Sequence, residues 1–580
     1  MSSKRIVLKF GSSVLRTSDD LPGAVHEIFR YVRDGFRVVA VVSAFEGVTD
    51  RLLAKGRELG ADPDHDVGIG GLAALVASGE RETAAALQIA LSRSGLDACV
   101  LDPIAAGLRV EGNGLEGAPI DLAVARFERL FDRGRIVIVP GFFGADEDDG
   151  PSLLGRGGSD WTAIFVAQRL GGTCRLLKDT DGIYERDPNA VADAPALRFE
   201  RLSYEDAVAL DAPVVQKAAL DFARAHRQAF EVAKLASTLG TTVGSHSTFV
   251  ARRSEAKRAP IRVALLGLGA VGRGVFEHLS RDREKFDVVA IAVRDRDKHL
   301  IAGAPASLIC SLDEALARPF DLLVEAIGGV DAPARALRFA LGSGRHAVTA
   351  NKAVIASIGP ELRELATREG AHLAFSAAVG GVVPVIETLR AIKSPVEHVE
   401  GILNGTSNYV LERLAAGDTA AVAIAEARRL GYAEPDPGDD LSGLDVARKL
   451  TLIAREAFGA DVALERIELP AASVADWNAP ARKGIPRLIG RVEATVNGAS
   501  ASVRLVEVGN DHPFASCRGA DNVVIITLRG GQTVELRGRG ASRWPTAESV
   551  IGDVLRIWRE RESPVERKAA ILGEFEGRAS

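Results

Sequence analysis

The stretch IRVALLGLGAVGRGVFEHL, residues 261–279, decides the fold of the second half of this 580-residue chain. A β-branched run, IRVALL, leads into a turn that contains Gly267, Gly269 and Gly272, and a helical pattern follows. In this GxGxxG spacing the first glycine permits a tight turn, the second admits a pyrophosphate to the backbone, and the third permits close packing of the helix. Strand, turn and helix occur in the required order, so we predict a Rossmann dinucleotide-binding unit.

The turn after the next strand, FDVVAIAV, bears on the identity of the dinucleotide. It reads RDRD and lies where the adenosine ribose of a bound cofactor is expected. Arg294 is suited to pair with a 2′-phosphate and Asp295 to a free 2′-hydroxyl, so we favour NADP(H) and leave NAD(H) open. Besides Arg294, the residues predicted to bind the cofactor are Gly267, Gly269, Ala270, Val271 and Gly272.

Short apolar strands alternate with helical segments along the whole chain, as in RIVLKF, RVVAVVSA and FDLLVEAIG. This alternation predicts parallel sheets with crossover helices, and the length suggests about three or four domains of an α/β protein. Between Gly244 and Pro260 the sequence lacks apolar periodicity and is rich in basic and small polar residues. We therefore predict a first domain at residues 1–245, a linker at 246–260 and a new domain from residue 261.

Composition narrows the class of function. The net charge of -6 provides no basic field that would attract nucleic acid or an anionic membrane. The four cysteines are widely spaced without a CxxC motif, which argues against a zinc site or a disulfide framework. The chain has neither an apolar signal core nor a run long enough to span a bilayer. We expect a cytoplasmic protein that acts on small molecules.

Further motifs in the second half are EAIGG, TANKA, AAVGG, EGILNGTSNY and GYAEPDPGDDLSGLDVARKL. In this order, and with the tail RGRGASRWPTAESVIGDVL, they resemble the homoserine dehydrogenases from about residue 260 onward. The resemblance implies an NAD(P)-binding domain at 261–390, completed by the C-terminal segment, and an α+β catalytic and dimerisation domain at 391–580. It also implies interconversion of L-aspartate 4-semialdehyde and L-homoserine, and a homodimer or larger homo-oligomer.

The last of these motifs crowds carboxylates into a short loop before a lysine, and such charges resist proximity unless a cation offsets them. The resemblance places Asp445 and Lys449 in the active site. Their i, i+4 spacing puts both on one face of a helix, where Asp445 can hold and tune Lys449. The resemblance further implies that Glu434 contacts the substrate ammonium. The other implied substrate-pocket residues are Asp440, Tyr432, Gly405 and Thr406.

Hydride transfer to an aldehyde builds negative charge on oxygen, which an ammonium group can stabilise and protonate. The resemblance places Lys352, in TANKA, near the nicotinamide and the substrate oxygen. We expect Lys449 to be the acid/base and Lys352 to have an electrostatic or positioning role. Relatives also bind a monovalent cation, Na⁺ or K⁺, through backbone carbonyls that correspond to Ala378, Val379 and Gly381. Where many relatives carry an acidic residue, this chain has Ser376.

The first half contains a different set of motifs. Its first strand ends in KFGSS, in which Lys9 precedes Gly11 and Ser12, and a lysine beside a glycine-containing turn can support phosphate transfer. Together with SAFEGVTDRL, SGERETAAAL, LLGRGGSDWTA and KDTDGIYERDP, it resembles the aspartate kinases of the amino acid kinase fold over residues 4–245. The resemblance implies phosphorylation of L-aspartate to 4-phospho-L-aspartate by ATP, with Mg²⁺ carried by the nucleotide.

The same resemblance assigns roles within the first half. Lys9 would stabilise phosphoryl transfer, Arg156 would bind a substrate carboxylate, and Glu80 would contact the aspartate ammonium. The further substrate-side residues are Ser43, Thr49 and Ser159. The residues implied for ATP are Gly11, Ser12, Thr180, Asp181, Tyr184 and Arg186.

Three departures leave alternatives open in the first half. KFGSSVL lacks the usual second glycine and resembles glutamate 5-kinase as much as aspartate kinase, and APVVQKAAL replaces a segment with histidine and proline. No ACT regulatory domain fits between the halves, so we expect no feedback control by threonine or lysine. The main reading is a bifunctional enzyme for two steps from aspartate toward threonine and methionine. The alternative is an active dehydrogenase fused to an inactive or differently specific kinase module, for example one acting on glutamate.

Overall fold

The chain folds into two compact units, the first built on Met1–Arg258 and the second on Ala259–Arg561. A computed structural model describes residues 4–63, 67–186, 196–210, 214–237, 239–250, 259–301, 304–379, 383–433, 436–476, 484–496, 498–539 and 543–562. Among these residues, no helix combines the length and apolar character needed to cross a membrane. Cys99, Cys174, Cys310 and Cys517 are free thiols.

The first unit alternates strands and helices as the sequence predicts. Its elements are β1 (Arg5–Phe10), α1 (Leu21–Arg33), β2 (Arg37–Val42), α2 (Val48–Glu58), α3 (Ile69–Arg93), β3 (Ala98–Val100), β4 (Arg109–Gly112), β5 (Gly117–Asp121), α4 (Val124–Phe131), β6 (Ile136–Pro140), β7 (Phe143–Ala145), β8 (Pro151–Leu153), α5 (Gly158–Leu170), β9 (Thr173–Lys178), β10 (Phe199–Ser203), α6 (Tyr204–Ala209), α7 (Lys217–Ala225), β11 (Phe230–Lys234), β12 (Gly240–Gly244) and β13 (Phe249–Val250).

The main sheet of the first unit has, in the described part of the chain, the strand order β13-β10-β12-β11-β9-β1-β2-β6-β3. Its centre is parallel, because β1 pairs in parallel with β2 and β9, and β2 with β6. Strands β1, β2 and β6 are almost wholly buried, as expected for a parallel sheet covered on both faces. The carboxyl ends of β1, β2 and β9 therefore meet at one edge, where ligands of such sheets bind. A smaller sheet orders β5-β4-β7-β8.

Part of the segment predicted as linker belongs to this sheet. Phe249–Val250 form β13, which pairs antiparallel with β10, and the Thr248 hydroxyl accepts a hydrogen bond of 2.9 Å from the Ser203 amide. The first unit thus extends beyond residue 245. Apolar periodicity gives no signal for so short an edge strand, because two residues cannot reveal an alternation.

The second unit contains two sheets and the helices that cover them. Its elements are β14 (Ile261–Leu266), α8 (Ala270–Arg281), β15 (Phe286–Ala292), α9 (Arg296–Ile301), β16 (Ile309–Cys310), α10 (Leu312–Ala317), β17 (Leu322–Glu325), α11 (Asp331–Gly342), β18 (His346–Thr349), α12 (Lys352–Arg368), β19 (Leu373–Ala374), α13 (Val385–Ala391), β20 (Val396–Ile402), α14 (Gly405–Ala415), α15 (Ala420–Arg429), α16 (Gly438–Ser442), α17 (Leu444–Phe458), β21 (Ile485–Thr495), β22 (Gly498–Val508), β23 (Asp521–Leu528), β24 (Thr533–Arg539) and α18 (Arg543–Glu562).

The two sheets of the second unit differ in kind. The first, ordered β16-β15-β14-β17-β18-β19, is parallel throughout its described pairs, and the second, ordered β22-β21-β20-β23-β24, is antiparallel. Helix α17 packs on the antiparallel sheet at Gly490, where a β-carbon would lie 2.6 Å from Val446. This arrangement confirms the predicted α/β chain with an α+β portion after the Rossmann sheet.

The C-terminal helix α18 returns to the parallel part of its unit. The amide and hydroxyl of Ser376 donate to the Asp553 carboxylate at 2.9 and 2.8 Å, and the Lys285 ammonium lies over the Trp558 ring. Asp553 is fully buried, so these hydrogen bonds compensate its loss of water. The last described helix is thereby fixed beside the segment that follows β19.

Helix α12 is bent at Ile358, whose backbone angles are not helical, and Pro360 lies inside the helix. Proline has no amide hydrogen, so the carbonyl four residues earlier, that of Ala356, loses its helical donor. Arg455 of α17 supplies replacements, donating to Ile355 O at 2.9 Å and to Ala356 O at 3.2 Å. The bend is therefore satisfied by a neighbouring helix.

Candidate active sites

The glycine turn after β14 has the geometry that a dinucleotide requires. Gly267 has φ +96°, and a β-carbon there would lie 2.7 Å from Ala326 O. A β-carbon on Gly272 would lie 2.1 Å from Gly267 O, so the start of α8 depends on this glycine to approach the turn. Gly269 has no neighbour within 4 Å of such an atom, which leaves open space above the turn. Ala270 and Val271 form the first turn of α8, whose amide groups favour a phosphate.

The RDRD segment lies beyond the end of β15, with Arg294 and Asp295 both exposed. Asp295 Oδ1 accepts a hydrogen bond of 3.0 Å from the Lys298 amide, at the start of α9. One oxygen of this carboxylate is thus engaged by the protein's own backbone, whereas the Arg294 guanidinium extends toward solvent.

Lys449, Asp445 and Lys352 form a cluster in which one carboxylate serves two ammonium groups. Asp445 Oδ2 is 2.7 Å from Lys449 Nζ, and Asp445 Oδ1 accepts from Lys352 Nζ. The side chains of Asp445 and Lys449 are 2% and 4% exposed, whereas that of Lys352 is 36% exposed. Lys449 also donates to Leu403 O at 2.5 Å. The cluster joins the first residue of α12 to the first two turns of α17.

Burial lowers the pKa of Lys449 to about 8, against the opposing influence of the Asp440 carboxylate. A buried ammonium loses hydration that its partners only partly replace. The side chain can therefore exchange a proton near neutral pH, as a general acid/base must.

Asn404, which the sequence did not single out, connects the carboxylates of this site. Its side-chain nitrogen donates to Asp440 Oδ1 at 2.7 Å and to Asp445 Oδ2 at 2.8 Å. Its side-chain oxygen accepts from the Ser407 amide at 2.8 Å and caps α14. An asparagine directly before a helical segment, as in NGTS, is typical of a helix N-cap, and this pattern is the signal in the sequence that points to Asn404.

The remaining predicted pocket residues lie at the start of α14 and after α15. The Thr406 hydroxyl donates to Tyr432 O at 2.5 Å, which ties the two segments together. A β-carbon on Gly405 would lie 2.5 Å from Ala520 O, so only glycine allows this contact. Asp440 is half-buried in α16. Glu434 lies outside the described residues.

The turn predicted to bind a monovalent cation is only partly within the described chain. Ala378 and Val379 are buried, and Gly381 lies outside the described residues. Ser376, which replaces an acidic residue, is hydrogen-bonded to the buried Asp553 carboxylate. Backbone oxygens are ligands that a hard cation takes, and the carbonyls of Ala378 and Val379 are the described groups that could hold it. Within the described ranges, no three His, Cys, Asp or Glu residues are grouped to hold a metal.

The first unit contains a cavity of about 480 Å³ at the edge where β1, β2 and β9 end. It gathers residues predicted from motifs far apart in the sequence. The predicted residues that line it are Lys9, Ser12, Ser43, Thr49, Glu80, Arg156 and Ser159. The structure thus brings the lysine, the carboxylate-binding arginine and the ammonium-binding glutamate of the prediction into one space.

Among the cavity residues that the sequence analysis did not single out are Asp160 and Lys178. Asp160 Oδ1 is 2.7 Å from Lys9 Nζ, and Asp160 Oδ2 accepts from Lys178 Nζ at 2.7 Å. Burial alone would raise the pKa of Asp160, but the adjacent ammonium groups of Lys9 and Lys178 lower it. A β-carbon on Gly11 would lie 2.8 Å from Lys9 Nζ, so this glycine lets the lysine fold back over the turn.

Glu80 is a buried carboxyl group in the cavity that has little compensation for its loss of water. Its residue is 2% exposed, and burial raises its pKa to about 8, although a hydrogen bond from the Ala44 amide and the Lys9 charge oppose this. Among the described residues, its buried Oε2 has no hydrogen-bond partner. A carboxyl group in this state is suited to receive a cation from a bound ligand.

Of the residues predicted for ATP, Ser12 lines this cavity and Gly11 precedes it in the chain, whereas Thr180, Asp181, Tyr184 and Arg186 follow β9 and do not line it. The Tyr184 hydroxyl donates to Asp181 Oδ1 at 2.5 Å, and the Thr180 hydroxyl to Gly182 O at 3.1 Å. Arg186 is exposed and lies 4.0 Å from Glu185. Lys178, at the end of β9, is the link between this segment and the cavity.

Comparisons with known proteins agree with the division of the chain into a first and a second unit. Three family models match the chain: the amino acid kinase family at residues 4–234, the NAD-binding domain of homoserine dehydrogenase at 267–376, and homoserine dehydrogenase at 384–555.

Individual relatives match about half of the chain. A homoserine dehydrogenase of Synechocystis sp. is 36% identical over 319 residues, which are 51% of this chain and 73% of that protein. One of Pseudomonas aeruginosa is 33% identical over 54% of this chain and 76% of its own. A crystal structure of a homoserine dehydrogenase from Thiobacillus denitrificans covers 53% of this chain and 75% of its own, with 31% identity and a TM-score of 0.47.

Proposed function

We propose that this chain, which belongs to the homoserine dehydrogenase family and carries an amino acid kinase domain before it, catalyses two reactions of one biosynthetic route. The second unit interconverts L-homoserine and L-aspartate 4-semialdehyde with NAD(P)(H). The first unit transfers a phosphoryl group from ATP to L-aspartate, giving 4-phospho-L-aspartate. The free cysteines and the small-molecule chemistry support a cytoplasmic location.

The observation that carries the dehydrogenase proposal is the buried Lys449 with a pKa of about 8 beside Asp445. In the oxidative direction, neutral Lys449 takes the hydroxyl proton of homoserine as the carbonyl double bond forms. A bound nicotinamide would supply the acceptor for the hydride that leaves the same carbon. In the reductive direction, protonated Lys449 returns its proton to the developing alkoxide. Lys352 adds positive charge near that oxygen.

Asp445 keeps both lysines in place, and Asn404 in turn fixes Asp445 and Asp440. We assign Asp440, and Glu434 by its motif alone, to the substrate ammonium. We favour NADP(H) because Arg294 is exposed where a 2′-phosphate would lie, whereas Asp295 is partly engaged by α9. Titration of the protein with NADPH and with NADH, on wild type and on Arg294→Ala, tests this preference. The preference is supported if Arg294→Ala binds NADPH more weakly than wild type does while its affinity for NADH is unchanged.

The dehydrogenase proposal is tested by homoserine-dependent reduction of NADP⁺, followed through nicotinamide absorbance. The same assay in sodium, potassium and choline salts tests the cation proposed at Ala378 and Val379. We propose a homodimer through the antiparallel sheet domain, as the family resemblance implies. Sedimentation or light scattering of the full chain measures that state directly.

The observation that carries the kinase proposal is Glu80, a buried carboxyl with an unpaired oxygen in a cavity that also holds Arg156 and Lys9. An amino acid offers an ammonium group for Glu80 and a carboxylate for Arg156. A side-chain carboxylate oxygen of aspartate then bonds to the γ-phosphorus of ATP as the bond to the β-phosphate oxygen breaks. Lys9 and Lys178 offset the charge on the transferring group, and Asp160 positions them.

The alternative is a kinase unit that is inactive or acts on glutamate. Glutamate differs from aspartate by one methylene group, and none of the described residues that line the cavity distinguishes the two by charge. Phosphorylation should therefore be assayed with each amino acid, with the acyl phosphate trapped by hydroxylamine. Turnover with aspartate that disappears in Lys9→Met supports the proposal. Turnover with glutamate alone, or with neither amino acid, supports the alternative.

A further inference from the structure

Glu325 is a buried carboxylate that the mechanism above does not use. It ends β17 in the parallel sheet, opposite Leu266 of β14 on one side and Thr349 of β18 on the other, and its exposure is 0%. This place is beside the glycine turn, because Gly267 packs against Ala326. A buried carboxyl group of this kind is costly, and an apolar residue would serve packing better.

Hydrogen bonds from the following turns hold this carboxylate. The Ile327 amide donates to Glu325 Oε1 at 2.8 Å, and the Thr349 hydroxyl donates to Glu325 Oε2. The Thr349 oxygen in turn accepts from the Asn351 amide at 2.9 Å. Glu325 therefore fixes the turns that follow two neighbouring strands.

Asn351 passes this constraint to the helix that carries Lys352. Its side-chain nitrogen donates to Ile327 O at 3.1 Å and to Gly329 O at 2.8 Å. Its side-chain oxygen accepts from the Ala353 and Val354 amides at 3.1 and 3.2 Å, which caps α12. Lys352 is the first residue of α12, so its backbone lies between groups that this network holds on both sides.

We propose that Glu325 is a positioning residue for the dehydrogenase reaction, acting through Thr349 and Asn351 to set where the Lys352 ammonium lies. The inference rests on the role proposed above for Lys352. Lys352 is the first residue of α12 and its ammonium donates to Asp445, so where that ammonium lies depends on where α12 begins. The network fixes that origin relative to the cofactor turn.

A matched pair of substitutions at Thr349 tests the inference in the full chain. Thr349→Val preserves shape but removes the hydroxyl that bridges Glu325 and the Asn351 amide, while Thr349→Ser retains it. We expect kcat for homoserine oxidation to fall about 10- to 100-fold in Thr349→Val, because small displacements of catalytic groups cost rate, with KM changed less than about twofold. The kcat of Thr349→Ser should stay within about threefold of the wild-type value, because the retained hydroxyl leaves Lys352 displaced only slightly.

Combination with Lys352→Met separates positioning from a general structural role. If Thr349 acts through Lys352, the double variant is no slower than Lys352→Met alone. The kinetic isotope effect measured with deuterium on the reacting carbon of homoserine should also be larger for Thr349→Val than for wild type. The inference would be overturned if the kcat losses of the two single variants multiplied in the double variant. A folded Thr349→Val with unchanged kcat would overturn it as well. An unaffected Lys352→Met would instead refute the role of Lys352 itself. If the melting temperature of Thr349→Val is well below that of wild type, Glu325→Gln takes its place, because glutamine keeps the shape of the side chain and one acceptor oxygen. The double variant of Glu325→Gln with Lys352→Met should then also be no slower than Lys352→Met alone.

Discussion

Asp445 Oδ2 lies 2.7 Å from Lys449 Nζ, and both side chains are almost fully buried on adjacent turns of α17. The same carboxylate accepts a hydrogen bond from Lys352. Asp445 therefore cannot fully neutralise either lysine, and burial keeps the pKa of Lys449 low. This relationship underlies the predictions for the dehydrogenase unit.

Replacement of Lys449 by methionine should reduce kcat in both directions by about 10²- to 10⁴-fold, the range expected for loss of a general acid/base. Methionine fills the space of the lysine stem, so the fold should persist. Steady-state assays and thermal melting measure the two effects. Lys393→Met, at an exposed lysine of the same unit, is the control and should leave the rate unchanged. Homoserine oxidation at the wild-type rate in a folded Lys449→Met would contradict the mechanism.

The pH dependence should report the Lys449 pKa of about 8. Oxidation needs the neutral amine, so its rate should rise with pH up to about 8 and then level off. Reduction needs the ammonium form and should decline above the same pH. Because the Asp440 charge raises the pKa of Lys449, Asp440→Asn should move both profiles toward lower pH. A shift toward higher pH, or no titration in this range, would argue against Lys449 as the group.

Glu80→Gln should weaken amino acid binding without affecting ATP. The expected result is a KM for aspartate raised at least about tenfold, which corresponds to loss of one charge-assisted hydrogen bond, with the KM for ATP unchanged. The dehydrogenase activity of the same preparation is the internal control for folding. An unchanged KM for aspartate would remove the main support for the kinase proposal.

Glu80 also gives a stability prediction. Its folded-state pKa is about 8 against an ordinary 4.5, so the folded state holds the proton more tightly than the unfolded state. The stability of the first unit should therefore fall as pH rises from 4.5 to about 8. Glu80→Gln cannot titrate and should melt higher than wild type at the alkaline end of this range, with a smaller difference at the acid end. Melting curves across that range measure it, and an equal difference at all pH values would contradict the assignment.

Threonine and lysine should not inhibit either activity. The matches to the kinase family and to the NAD-binding domain end at residue 234 and resume at residue 267, which leaves too little chain between them for a regulatory domain. Both assays with each amino acid added, in the presence of low substrate, provide the measurement. Clear inhibition at micromolar effector would show that regulation resides elsewhere in the chain.

The sequence predicts those features that depend on local order. The GxGxxG turn is one, because its three glycines are defined by their neighbours in the chain, and the φ of Gly267 and the contact of Gly272 agree with that reading. The pairing of Asp445 with Lys449 is another, since one helix turn separates them. Parallel sheets likewise follow from alternating strands and helices.

Features that arise from tertiary contacts were not predictable in the same way. Asp160 is an ordinary residue in the first turn of α5 until β1 and β9 bring Lys9 and Lys178 to it. The hydrogen bonds that define the roles of Asn404 and Glu325 are likewise made with partners tens of residues away in the sequence. The four residues predicted for ATP that follow β9 lie near Lys178 in sequence but outside the cavity, because a single motif spans both the strand end and the turn beyond it.

The bend in α12 has a consequence for enzyme design. Arg455 extends from the helix of Lys449 to the carbonyls of Ile355 and Ala356, on the helix that begins with Lys352. One guanidinium thus connects the two helices through their backbone. Engineering that alters Arg455 or Pro360 would change the spacing between the two lysines without touching the pocket itself.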